Sequence, residues 1–147
     1  MEKFSIPVQI RWADLDPNRH LRHSVYYDFG AYVRVACFSQ LGLTTKKLEE
    51  LGIGPVLFRE EAIFKREITF EDRIDVDAEI YSARNDYARF SVRHHIYKEG
   101  GTLATILNMD VGWIDLNRRK LTLPNTFVQA IMNQIPKSSD FKWIERK

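Results

Sequence analysis

Phe4, Ile6, Val8 and Ile10 alternate with Ser5, Pro7, Gln9 and Arg11, the period-two pattern of a half-buried strand. Pro7 has no N–H to donate, which suits an edge or a strand start. The turn formers Asp14, Asp16, Pro17 and Asn18 end the strand near Trp12. From Ser24 the period changes. Val25, Tyr26, Phe29, Tyr32, Val33, Ala36, Cys37 and Leu41 recur at three- and four-residue intervals, which predicts a helix with Ser24 as its cap and Gly42 as its stop. Asp28 adds a favourable charge near its first turn. Gly30 inside it costs about 1 kcal/mol against Ala and is expected to mark the close approach of another backbone. Apolar residues reach well around this helix, as they would if a sheet wrapped it.

Thr44 to Leu51 predict a short, capped second helix closed by Gly52, and Gly54-Pro55 punctuates the chain after it. Strand patterns then run over 56–69, 74–80, 87–97 and 103–116, separated by turn signals at Glu71-Asp72, Asn85-Asp86 and Gly100-Gly101. Pro124 suits the first turn of a last helix, whose stripe is Phe127, Val128, Ile131, Met132 and Ile135, and Pro136 stops it. One strand, a long helix, several meander strands and a short helix make an α+β fold.

Composition adds limits. At 147 residues, 44% hydrophobic and 29% charged, the chain is expected to be one globular domain over 1–147. The 22 basic and 20 acidic residues interleave to a formal charge of +2, which argues against nucleic acid or a membrane surface as partner. The single cysteine, Cys37, excludes an internal disulfide and falls on the apolar side of the helix, where a buried, inert thiol is expected. Residues 1–7 hold no apolar core of signal-peptide length, so the expected location is cytoplasmic.

Chemistry concentrates between Arg11 and Ser24, where two carboxylates, an amide, two imidazoles and three guanidinium groups stand between the strand and the helix. A polar turn entering a helix lies beside N–H groups that point outward without partners, a place to hold and polarise an acyl oxygen. Asp14 reads as structural and paired with Arg11. For Asp16 the alternatives are a turn-forming role and a reactive carboxylate. His20 and His23 are three apart, as metal ligands can be, but no third ligand is fixed by the sequence and no metal is expected. His94 and His95 point to opposite faces of one strand, so they read as surface or satisfied core.

The Asp-x-Asp-Pro-Asn-x-His turn at 14–20, the Tyr-bearing helix and the meander resemble the hot-dog-fold acyl thioesterases of the 4-hydroxybenzoyl-CoA thioesterase type. The resemblance implies an antiparallel sheet of about five to six strands wrapped around a long central helix. It implies a catalytic Asp16, with His23 seven residues beyond and Tyr26 three further, as in bacterial members. Asp16, Asn18 and His20 also match the Asp-x-Asn-x-His of plant acyl-carrier-protein thioesterases. Arg19 stands where many members have Gly, and Arg22-His23 replaces a common Asn-Asn. The resemblance further implies a thioesterase acting on an acyl-CoA or acyl-carrier-protein thioester without a cofactor, assembled as a homodimer or homotetramer. Tyr26 would line the substrate site, and Arg84 and Lys65 are candidates for the CoA phosphates. The alternative is a non-catalytic hot-dog module that binds an acyl or aromatic thioester; a dehydratase ranks lower, because the helix offers only Asp28 as an acid.

Overall fold

The computed structural model describes residues 1–145. Its strands are β1 (Ser5–Val8), β2 (Ile53–Phe64), β3 (Ile74–Asp77), β4 (Glu79–Ala83), β5 (Arg89–Lys98), β6 (Thr102–Asp115), β7 (Lys120–Leu121) and β8 (Lys137–Trp143). Its helices are α1 (Val25–Gln40), α2 (Thr45–Leu51) and α3 (Thr126–Gln134). All eight strands join one sheet. The long strands β2, β6 and β5 lie side by side, antiparallel, and β5 then carries β3 and β4 on successive halves of its far edge. β1 pairs with β3, and β8 runs parallel to β4.

Helix α1 buries Val25, Tyr26, Phe29, Val33, Cys37 and Phe38 against the curled sheet. Below it lie Trp113, Phe90, Leu107, Met109, Val76 and Ile80, all within 2% of complete burial. The contiguous core also takes in Val128, Ile131 and Met132 of α3. Two capping expectations hold: Thr44 Oγ1 accepts from Lys47 N at 3.0 Å, and Gly52 closes α2 in the left-handed conformation with φ 70°. Asn125, one residue beyond Pro124, caps α3 by accepting from Val128 N at 3.0 Å.

Four local features differ from the sequence pattern. The strand expected over 74–80 is split at Ala78, because the Asp77 carboxylate takes the backbone N–H of His95 and Ala78 N turns to Phe4 O at 3.1 Å. The strand expected to reach 69 leaves the ladder after Phe64, where Lys65 N and Arg66 N both donate to Ala104 O. A Cβ on Gly30 would come within 3.1 Å of Leu107 Cδ1 and 3.2 Å of both Arg34 Nη1 and His94 Cδ2, so its close neighbours are side chains and not a second backbone. The polar stretch of β8 had no strand periodicity; its pairing with β4 places it in the sheet.

His94 is fully buried: its Nδ1–H donates to Asp77 O at 2.6 Å, and its Nε2 accepts from Arg34 Nη1 at 3.1 Å. Burial, then the Arg34 charge, pushes the imidazole down from 6.5 to about 3. The folded protein therefore keeps His94 neutral where the unfolded chain protonates it. The stability this group contributes is complete above pH 6.5 and is lost as pH falls through the interval below, by about 1.4 kcal/mol per pH unit. Urea unfolding of wild type and His94→Gln at pH 7 and pH 4.5 should show the smaller loss in the variant; equal losses would exclude His94 as the cause.

Candidate active site

The turn between β1 and α1 is built by its own carboxylates. Asp14 is wholly buried, accepting from Arg11 N at 2.9 Å and Arg11 Nη2 at 2.8 Å. The Arg11 guanidinium holds that carboxyl below the usual range. Asp14 thereby fixes the single helical turn Trp12–Asp14 that follows β1, a structural role. Two residues on, Asp16 Oδ1 accepts from Asn18 N at 2.8 Å and His20 N at 3.2 Å, while Asp16 N donates to His20 O at 2.8 Å. Both amides fall on the same oxygen, and Oδ2 has no partner among the described residues.

Arg19 closes this turn with φ 66°. That is the left-handed region a glycine enters freely and a side chain enters at a cost of about 1 kcal/mol. The backbone thus still adopts the conformation that the Gly of the resembled turn would supply. Leu21 N donates to Ile68 O at 2.7 Å, and His20 pairs with Thr69 in an isolated bridge, so the turn is tied to the segment that leaves β2.

Ser24 does not cap α1. Its Oγ accepts from Arg22 Nε at 2.9 Å, and Arg22 Nη1 in turn donates to Ala13 O at 2.8 Å. Val25 N donates to Arg22 O at 3.0 Å, which leaves the next amides, of Tyr26 and Tyr27, without a side-chain cap at the positive end of the helix.

Asp16, His20, His23 and Tyr26 line one cavity of about 390 Å³, together with Phe64, Lys65, Arg66 and Glu67. His23 is exposed, and its ring makes no hydrogen bond among the described residues. His20 Nε2 lies 3.0 Å from Glu67 Oε2. Tyr26 is 3% exposed and packs edge-on against Phe64, with centroids 4.9 Å apart. Burial raises its phenol, and the nearby Asp16 charge acts in the same direction. Asn18 contributes its backbone amide, while its side chain stays at the surface outside the cavity. Arg84 is elsewhere, in a depression with Arg89, Trp113 and Thr122 that shares no residue with the Asp16 cavity. The wall at Phe64 to Glu67 was legible only as a charged run after an aromatic residue; its docking onto the turn is tertiary. Asp16 also borders a second, larger cavity of about 620 Å³, with Trp12, Pro17, Arg19 and Phe70 in its walls.

The family model of the thioesterase-like superfamily matches residues 10–132. None of the curated proteins matches the chain in sequence. Among solved structures, the hypothetical protein SAV2348 from Staphylococcus aureus, in complex with CoA, is 21% identical with TM-score 0.81, over 94% of this chain and 89% of that one. DHNA-CoA thioesterase from Staphylococcus aureus is 20% identical with TM-score 0.78, over 91% of this chain and 95% of that one. The 1,4-dihydroxy-2-naphthoyl-CoA thioesterase Slr0204 from Synechocystis is 19% identical with TM-score 0.79, over 90% and 96%. At these identities the likeness concerns the fold: a curled antiparallel sheet around one long helix.

Proposed function

Because the chain belongs to the thioesterase-like superfamily and has the hot-dog fold, we propose that it hydrolyses an acyl-CoA or acyl-carrier thioester to a free acid and a thiol at the Asp16 cavity. The observation that carries this reading is the half-occupied carboxylate. Two backbone amides fix Asp16 through Oδ1 and leave Oδ2 open beside an uncapped helix N-terminus.

Thioester hydrolysis needs an activated nucleophile and donors for the oxygen that becomes negative. Oδ2 takes a proton from water as the water oxygen attacks the carbonyl carbon, or it attacks that carbon itself and is freed by water in a second step. The amides at the start of α1 face the developing oxyanion, with His23 beside them as a further donor. Collapse of the tetrahedral carbon breaks the C–S bond; the sulfur leaves as thiol with the proton that Oδ2 took from water, or, in the nucleophilic route, as a thiolate that takes its proton from solvent. Tyr26 and Phe64 wall the acyl carbonyl, and Lys65 and Arg66 add positive charge to the same cavity.

The same reading includes a homodimer, or a tetramer built from it. The outer edge of β2 meets no strand among the described residues, over a strand of 12 residues. Leu57, Phe58, Ile63 and Phe64 on it are 44–53% exposed, and Tyr32 and Val35 of α1 are 58% and 48% exposed. A long, apolar, unpaired edge is a template for a second copy. Ile63→Asp should halve the mass measured by light scattering. An unchanged dimer mass would move the interface away from this edge, and a monomeric wild type would remove the dimer from the reading.

Thiol release from a panel of acyl-CoAs of rising chain length and one aryl-CoA tests the hydrolase reading. Release from any member supports it and names the acyl class. No release from this panel or from acyl-carrier-protein thioesters would favour a binding module.

A further inference from the structure

Asp16 is shared by two cavities whose other lining residues are all different. A thioester extends in two directions from its carbonyl, so a reactive carboxylate placed between two cavities has one for each arm. The cavity at the start of α1 holds the oxyanion donors. The other, of about 620 Å³, is of the size that binds whole small molecules.

Three unpartnered groups converge on the second cavity. Trp12 is 81% exposed and Phe70 46% exposed, and neither ring stacks on another aromatic among the described residues. The Arg19 guanidinium makes no hydrogen bond or ion pair among the described residues. Its place on the wall is set by the left-handed backbone of the turn. The walls are fixed to each other through Leu21 N to Ile68 O and the His20–Thr69 bridge, so the cavity is formed before anything binds. Indole and phenyl faces stack nucleobases, and a guanidinium suits phosphate oxygens. Glu71 on the same wall offers an acceptor for an exocyclic amino group and disfavours a bare anion.

We propose that this aromatic cavity binds the nucleotide end of a CoA carrier, with the base against Trp12 and Phe70 and a phosphate on Arg19. The inference rests on the thioesterase reading for its substrate and narrows the carrier to CoA, because an acyl-carrier protein brings no base to stack. The pantetheine arm bends back over the turn to place both ends.

Two measurements test it on the intact protein. Adenosine 3′,5′-bisphosphate alone should quench tryptophan fluorescence and release heat in wild type, and both signals should fall away in Trp12→Leu and weaken in Arg19→Gln. In turnover, Trp12→Leu should raise KM about tenfold for an acyl-CoA and leave KM for the matching acyl-pantetheine unchanged. Trp12 is exposed, so its loss does not endanger the fold. No binding of the bisphosphate, or an equal rise in KM for both substrates, overturns the proposal. Bisphosphate binding that depends on Trp12 in a protein that hydrolyses no thioester would uphold the nucleotide site and refute the hydrolase reading alone.

Discussion

Asp16→Asn is expected to lower kcat for the best thioester on the order of 10³-fold, the loss typical of a removed proton acceptor, with the fold intact. The substitution is isosteric. The side-chain carbonyl oxygen of Asn can keep both backbone amides that Oδ1 now accepts, from Asn18 and His20, so the turn retains its geometry. Only the second oxygen changes, from an unpartnered carboxylate oxygen into an NH2 group that can neither take a proton from water nor attack a carbonyl. Thiol release, a thermal melt and size-exclusion chromatography on both proteins separate chemistry from folding. Turnover within a few-fold of wild type would take Asp16 out of the reaction.

Trp113→Ala should be the most damaging single change to stability, by about 3–5 kcal/mol. The side chain is completely buried between Phe38 of α1, at 6.3 Å centroid distance, and Phe90 of β5, at 5.8 Å. It is also a polar anchor, because Nε1 donates to Tyr87 O at 2.9 Å. Tyr87 holds φ 59°, a conformation costly for a tyrosine, and its hydroxyl donates to Asn133 Oδ1 at 2.7 Å in α3. Truncating the indole therefore opens a cavity beneath the helix and frees a buried carbonyl at the β4–β5 turn. Urea unfolding gives the loss. Trp113→Phe, which fills most of the space and lacks the donor, should fall between the two. A loss under about 1 kcal/mol for the Ala variant would mean that the core refills the space.

Periodicity carried the long elements because burial on one face imposes it. The runs in β5, β6 and α1 were readable for that reason, as were the caps of α2. Ser24 misled because its hydroxyl accepts from the Arg22 guanidinium, two residues before it, which also donates to Ala13 O. The break at Ala78 and the strand β8 were hidden for a related reason: a carboxylate inserted in the ladder and a polar edge strand have no local pattern. At the site, the turn and its carboxylate were visible as residue types at a spacing. The wall from Phe64 to Glu67 depends on where β2 leaves its partner, and the position of Arg84 beside Trp113 depends on a turn far along the chain. Neither separation can be read from spacing.

Cys37 is 2% exposed on the inner face of α1, and burial pushes its thiol up to about 11. Being the chain's single sulfhydryl, it stays silent towards a thiol-reactive dye while the core is closed, and the colour in a thioester assay comes from released substrate thiol. In urea the same dye becomes a gauge of opening, one labelled sulfur per molecule, timed by the parting of helix from sheet.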